Sequence, residues 1–246
     1  MSLPKVATRD EWLAVRKELL VAEKAMTRAR DALSAKRREL PMVRIDKNYV
    51  FEGPQGKVDL KELFDDRRQL IVQHFMFDPL WDEGCPSCTA SADEHSPGLL
   101  KHLRSRDTNF VVVSRAPLAK ITRYRAERGW TFPWFSSFDT DFNYDFHVTI
   151  DQSVAPIMWN FRTIDELEQV NMGWLRDGSS EQPGFSMFLR EGDEIFHTNS
   201  IYARGTEMLG GSYYFLDMTA LGRQEQWEKP TGRATNARAA MPSFSD

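Results

Sequence analysis

Both cysteines of this 246-residue sequence lie in one short stretch, Cys85-Pro86-Ser87-Cys88. Where a strand passes into a helix, two cysteines three positions apart can close a small disulfide, because one helical turn brings their side chains together. The first turn also favours a thiolate, since its free backbone N–H groups and the helix dipole are positive. The spacing therefore predicts a redox pair with Cys85 as attacking thiolate and Cys88 as resolving thiol.

Two acidic residues, Asp82 and Glu83, directly precede the pair and oppose a thiolate. Whether the pKa of Cys85 falls below its ordinary value of about 8.5 depends on where these carboxylates point, and the sequence leaves this open. A purely structural interpretation also stays open, because free cysteine is among the most buried residue types and packs as a small apolar side chain.

A metal site is the next alternative for the pair. His74 precedes the motif and His95 and His102 follow it, but Pro97-Gly98 lies between the last two and spoils their helical register. A second CxxC is missing from the sequence. We therefore expect no structural zinc site and no cofactor.

Composition is typical of a soluble globular protein, with 41% hydrophobic and 28% charged residues. The net charge of -4 gives no general attraction to nucleic acid or to an acidic membrane surface. No apolar run approaches the roughly 20 residues of a membrane helix, and the N-terminus lacks a signal-peptide pattern. We expect a cytoplasmic protein, in a compartment that keeps thiols reduced. Its expected partner is a disulfide-containing protein or small molecule.

The elements that must position the pair can be read from hydrophobic patterning. Residues 69–77 and 109–114 are apolar runs that predict buried strands, and helices are predicted over 88–104, with an interruption at Pro97-Gly98, and over 117–128. Strand, helix, strand implies a parallel pair with a right-handed crossover. Residues 185–190 and 194–199, joined by Glu191-Gly192-Asp193, predict a hairpin.

A long helix is predicted at the N-terminus, from Arg9 to Leu40. Thr8 and Glu11 have the spacing of a capping box. Apolar residues then alternate three and four positions apart, which defines a coiled-coil-like seam of Trp12, Val15, Leu19, Ala22, Met26, Ala29 and Leu33. The helix either packs on its own domain or forms the arm of a homodimer. The predicted division is helix 1–40, domain 41–222 and polar tail 223–246.

Several blocks together resemble a bacterial thioredoxin-like family of unknown function whose members are usually labelled predicted dithiol-disulfide oxidoreductases. The blocks are GKVDLKELF (56–64), LIVQHFMF (70–77), WDEGCPSC (81–88), GFSMFLREGDEIFH (184–197), YARG (202–205) and YYFLDMTALGR (213–223). The resemblance covers nearly the whole chain. It implies an α/β thioredoxin-like fold with a central mixed sheet flanked by helices, and thiol-disulfide exchange by Cys85 and Cys88.

Comparison with related thioredoxin-fold groups suggests roles for further residues. Trp81, Pro86 and Ser87 would shape the surface around the sulfurs, and Pro183 is the nearest candidate for the cis-proline that thioredoxins place opposite the active site. His74 is more often a core histidine than a catalyst in such a strand, but its place ahead of the motif makes it a candidate proton carrier.

Two alternatives come from the same groups. Peroxiredoxins share Cys-Pro, but they need a hydroxyl three residues before the cysteine, where this chain has Asp82. Copper chaperones of this fold add a distant histidine, a part that His147 or His197 could take. The many aromatic residues of 130–146 either close the core or form an apolar wall beside Cys85.

Overall fold

The structure is a computed structural model that describes residues 3–232, in two compact units: 3–41 with 213–232, and 42–212. The helices are α1 (Arg9–Arg38), α2 (Pro86–Asp93), α3 (Pro97–Arg104), α4 (Leu118–Glu127), α5 (Phe142–Asp145), α6 (Ile164–Glu168) and α7 (Ser212–Leu216). The strands are β1 (Val43–Arg44), β2 (Val50–Gly53), β3 (Gly56–Asp59), β4 (Gln69–His74), β5 (Thr108–Ser114), β6 (Trp134–Ser136), β7 (Thr149–Ile150), β8 (Met158–Trp159), β9 (Arg162–Thr163), β10 (Ser180–Glu181), β11 (Gly184–Glu191) and β12 (Glu194–Tyr202).

The N-terminal helix α1 begins where the capping box predicts. The Thr8 hydroxyl accepts the Glu11 N–H at 3.3 Å, and the Glu11 carboxylate accepts the Thr8 N–H at 2.8 Å. None of the 30 residues of α1 is buried. Within residues 3–232, no helix is long and apolar enough to cross a lipid bilayer.

The predicted polar tail, residues 223–246, falls inside the described part of the chain only up to residue 232. Its first residue, Arg223, pairs with Asp217 at 2.7 Å and lies over the Tyr213 ring, 4.3 Å from the centroid. Residues 213–222 belong to the same compact unit as α1.

The central unit is built on an eight-stranded mixed sheet of order β1-β12-β11-β4-β5-β6-β2-β3. Strands β4, β5 and β6 are parallel neighbours, and β11 and β12 form the predicted antiparallel hairpin beside β4. All seven residues of β5 are buried, as is usual for a parallel strand covered on both faces. A strand-helix-strand unit followed by such a hairpin is the thioredoxin topology, so the implied fold is confirmed.

The helix expected after the cysteine pair is divided in two, as the proline predicts. Helix α2 ends at Asp93 and α3 begins at Pro97. Ser96 caps the second helix by accepting the Leu99 N–H at 3.1 Å. Because proline removes a backbone donor and clashes with the preceding turn, the first helix ends before Pro97 and a new helix begins there.

Alternate side chains of β4 point to opposite faces of the sheet and enter two different cores. Leu70 and Val72 belong to one core cluster, and Phe75 belongs to a second cluster that includes Cys88. We call the side of the second cluster the cysteine face. The aromatic residues of 130–146 close both cores, because Phe132, Trp134, Phe142 and Phe146 are all at most 6% exposed.

The buried His74 and the half-buried His95 predict a marked loss of stability in acid. Burial lowers the pKa of His74 to about 3, assisted by the charge of His197, and burial lowers the pKa of His95 to about 4. Below about pH 6.5 both histidines are protonated in the unfolded chain, whereas in the folded chain they stay neutral down to a much lower pH. The free energy of unfolding should therefore fall as pH drops from about 6.5 towards 4, by about 1.4 kcal/mol per pH unit for each histidine.

Urea denaturation at pH 7, 6 and 5 measures this slope. His95→Gln should remove the contribution of His95 and flatten the slope. His102→Gln, at an exposed position of α3, is the matched control and should leave the slope unchanged. Equal slopes for the wild-type chain and the His95→Gln variant would contradict the prediction.

Candidate active site

Hydrogen bonds to the preceding loop and to α2, and through Thr89 to α4, hold the backbone around Cys85 in place. Its N–H donates to the Met76 carbonyl at 3.0 Å, and Cys85 is the N-cap of α2, with Pro86 as first helical residue. The Thr89 hydroxyl donates to the Cys85 carbonyl at 2.9 Å and lies 2.9 Å from the hydroxyl of Tyr124 on α4. This arrangement places Cys85 after the loop that follows β4 and at the start of a helix, as the sequence predicts.

The residue before the pair, Gly84, lies against aromatic rings. A Cβ at this position would lie 2.5 Å from Cε1 of Phe75 and 3.2 Å from Cε1 of Tyr124. Real Cβ atoms do not approach other atoms so closely, and interiors are close-packed. A larger residue here would displace Cys85, which explains why this chain has glycine where thioredoxins have tryptophan.

The loop from β4 to the pair is held by cations of α4. The Lys120 ammonium donates to the carbonyls of Pro79 at 2.8 Å and Trp81 at 2.7 Å, and the Arg123 guanidinium donates to the carbonyl of Asp82 at 2.7 Å. The Trp81 side chain remains 37% exposed. The predicted site-shaping residue is thus presented at the surface by a loop whose backbone is tied down.

The two thiols differ in their proton affinity. Hydrogen bonding from the Cys88 thiol, assisted by the backbone N–H groups of Cys88 and Ser87 and by the Ser87 hydroxyl, lowers the pKa of Cys85 to about 6, although burial opposes this. The same bond, together with burial, raises the pKa of Cys88 well above its ordinary value. None of the leading causes that act on the Cys85 pKa is a carboxylate, so Asp82 and Glu83 are not among the groups that mainly shift it.

A largely buried charge cluster, which we call the Arg115 cluster, joins three segments of the central unit. Arg115 directly follows β5 and pairs with Asp78 of the loop and with Glu181 of β10, the latter at 2.7 Å. Its third nitrogen donates to the Tyr144 hydroxyl at 3.2 Å. Glu181, whose side chain is 1% exposed, also accepts the Thr149 hydroxyl at 2.9 Å.

The Arg115 cluster is electrostatically linked to the cysteine pair. The charge of Glu181 is one of the causes that raise the pKa of Cys88. Burial raises the pKa of Glu181 itself, and the Arg115 charge opposes that rise. Local sequence patterns do not predict this cluster, because 66 positions separate Arg115 from Glu181. The available signal was a charged residue at the carboxyl end of a buried parallel strand, where sites of α/β proteins form.

The structure places His74 away from the cysteine pair. It shares the strand face of Leu70 and Val72, opposite the cysteine face, and its Nε2 lies 2.7 Å from the Ser186 hydroxyl. It contacts the rings of Phe142 and Phe146. His74 is therefore a core histidine, and the suggested role as proton carrier for the pair has no geometric support.

The prediction of a cis-proline at position 183 was wrong, because the Gln182–Pro183 peptide bond is trans. The Gln182 N–H donates to the Val148 carbonyl at 2.8 Å and prolongs the pairing of β10 with β7. The chain thus runs extended from β10 into β11. Pro183 keeps the expected position in the topology, next to Gly184, which pairs with His74 at the end of β4.

The distant histidines of the copper alternative do not approach the pair. His197 lies 2.7 Å from the Ser200 hydroxyl and contacts Phe146 and Phe188, in the core opposite the cysteine face. Across residues 3–232, no three side chains of His, Cys, Asp or Glu, His147 included, form a group that could hold a metal ion.

The fold and the site define a thioredoxin-fold protein that carries a dithiol at the N-terminus of the helix after β4. The chain belongs to the bacterial family described as "Bacterial protein of unknown function (DUF899)", whose family model matches residues 1–241. This confirms the family resemblance found in the sequence. No curated protein matches the chain.

Several solved structures are similar to this chain. A peroxiredoxin Q of Xanthomonas campestris is 13% identical, with 69% of this chain and 91% of that chain covered and a TM-score of 0.47. The peroxidoxin BcpB from Mycobacterium tuberculosis is 13% identical (69% and 92% covered, TM-score 0.44). A candidate protein disulfide isomerase from Bacteroides thetaiotaomicron is 16% identical (69% and 88% covered, TM-score 0.40). These similarities assign no activity to this chain.

Proposed function

We propose that this protein is a dithiol-disulfide oxidoreductase in which Cys85 attacks and Cys88 resolves. The observation that carries the proposal is the asymmetry of the two thiols. Cys85 is partly exposed with a pKa lowered to about 6, whereas Cys88 is 6% exposed with a raised pKa. A reactive thiolate beside a protected, protonated partner is what disulfide exchange requires.

The reaction balances as a two-electron exchange. The Cys85 thiolate attacks one sulfur of a substrate disulfide, the substrate S–S bond breaks, and the first substrate thiolate leaves with a proton from solvent. Cys88 then loses its proton and attacks the Cys85 sulfur, which closes the Cys85–Cys88 disulfide and releases the second substrate thiol. A thiol reductant returns the protein to the dithiol. We extend the proposal to a cytoplasmic setting, where such reductants are abundant.

A peroxidase function is the less favoured candidate. Peroxiredoxins need a hydroxyl three residues before the reactive cysteine to orient the peroxide, but position 82 of this chain is Asp. Mixing the reduced protein with hydrogen peroxide, and separately with a small aromatic disulfide, distinguishes the two functions. We expect the disulfide to oxidise the pair faster.

The proposed function predicts the titration of Cys85 directly. The rate of alkylation of the reduced protein should rise with pH around an apparent pKa near 6, with modification confined to Cys85, because the buried Cys88 stays protonated. Mass spectrometry read residue by residue at each pH makes this measurement. A Cys85 pKa of about 8.5 or higher, or faster modification of Cys88, would reject the assigned roles.

Ser87→Ala tests whether the Ser87 hydroxyl contributes to the low pKa of Cys85. It removes a hydroxyl that lowers the Cys85 pKa and keeps the backbone N–H groups, so the pKa should rise while the fold persists. Ser91→Ala, one turn further along α2, is the control and should leave the Cys85 titration unchanged.

A further inference from the structure

The long helix α1 presents an apolar stripe to solvent. The large residues of the seam are exposed: Trp12 by 47%, Val15 by 66%, Leu19 by 53%, Met26 by 66% and Leu33 by 43%. No residue of α1 is buried. Solvent exposure of so many apolar side chains in one line is typical of an interaction surface.

The occupant that fits this stripe is a second copy of α1 running in the opposite direction. In an antiparallel pair, one register places Leu19 opposite Ala29, Ala22 opposite Met26, and Val15 opposite Leu33. Each alanine then faces a large side chain, so the layers fill evenly. In a parallel pair each alanine would face itself and leave gaps, which destabilise a close-packed interface.

The charges along α1 favour the same arrangement. Residues 9–23 carry three basic and four acidic side chains, a net charge of -1, whereas residues 24–38 carry six basic and one acidic, a net charge of +5. Antiparallel pairing brings each acidic half against a basic half, and parallel pairing would bring the two +5 halves together. Charge and side-chain size therefore each favour the antiparallel orientation, on separate grounds.

The area is sufficient for a stable pair. If each large seam residue has ~150–250 Å² of surface and loses its exposed part, two copies bury on the order of 1,000 Å² from these residues alone. This reaches the lower range of specific interfaces before flanking side chains are counted. We infer that the protein is a homodimer joined by an antiparallel coiled coil of the two α1 helices.

Analytical ultracentrifugation of the full chain tests the association. We expect a mass twice the 28.4 kDa of one chain, and a loss of at least tenfold in dimer affinity for Leu19→Glu. Lys17→Glu introduces the same carboxylate on the opposite side of α1 and should leave the dimer intact. A monomer at all concentrations up to ~100 µM, or a Leu19→Glu dimer as stable as the wild type, would overturn the inference. Circular dichroism of the variants verifies that α1 stays helical.

Zero-length cross-linking of carboxylates to amines tests the orientation. Mixed dimers of ¹⁴N and ¹⁵N chains should give an intermolecular Glu11–Lys36 link, which one straight helix cannot form because these residues are about 37 Å apart along its axis. Intermolecular links only between similarly numbered residues, such as Glu18 and Lys17, would instead indicate a parallel pair and overturn the antiparallel assignment.

Discussion

Replacement of Cys88 by serine is expected to convert the protein into a trap for its substrate. Cys85 would still attack a disulfide, but without the resolving thiol the mixed disulfide would persist. Turnover with a small aromatic disulfide should fall on the order of 10³-fold, because residues that act as one catalytic unit fail together. Non-reducing mass spectrometry should find one substrate thiol attached to Cys85 in each chain.

Cys85→Ser is the matched variant, since it should lose turnover to the same extent and form no adduct. An adduct on Cys88 in this variant would reverse the roles of the two cysteines. Because the Cys88 thiol is the largest cause of the low Cys85 pKa, the Cys88→Ser variant should also show a changed Cys85 titration. Full turnover in either variant would reject the proposed function altogether.

Replacement of Arg115 by methionine is expected to have the largest effect on stability. It would leave the carboxylates of Asp78 and Glu181, whose side chains are 14% and 1% exposed, without their cation. Removing one partner from a buried ion pair costs about 3–5 kcal/mol, because the remaining charge stays out of water. Urea denaturation should therefore give a free energy of unfolding lower by this amount.

Arg68→Met is a control of the same chemistry at the surface. Arg68 pairs with Glu191, but their side chains are 59% and 63% exposed, so the loss should be below about 1 kcal/mol. Arg115→Lys keeps the charge and should fall between the two. If Arg115→Met and Arg68→Met lost the same free energy, the Arg115 cluster would contribute no more than a surface pair.

The sequence predicted the elements that depend on neighbouring residues. The capping box at Thr8, the division of the helix at Pro97 and the hairpin turn at Gly192 follow from backbone geometry within a few positions. The position of the dithiol at the start of α2 could be predicted for the same reason, because the apolar strand, the proline and the three-residue spacing are all local features. The family resemblance then supplied the thioredoxin-like fold.

Other features depend on distant segments, and local patterns could not predict them. The pairing of β10 with β7 keeps the chain extended at Pro183, and no local pattern distinguishes the trans bond found there from a cis one. The strand face of His74 depends on which core covers each side of β4. For Gly84, the reason for glycine is the position of Phe75 and Tyr124, which lie 9 residues before it and 40 residues after it.

By itself, the sequence determined that the protein has one pair of cysteines, that Cys85 precedes Cys88 at the start of the helix, and which strand leads to the pair. These features depend on residue spacing and hydrophobicity over a few neighbouring positions. Only the tertiary structure decided the burial and the Glu181 charge that help to raise the pKa of Cys88, and the existence of the Arg115 cluster. The physical reason is that pKa values depend on burial and on charges within a few ångströms. Folding brings such charges together from positions 78, 115 and 181.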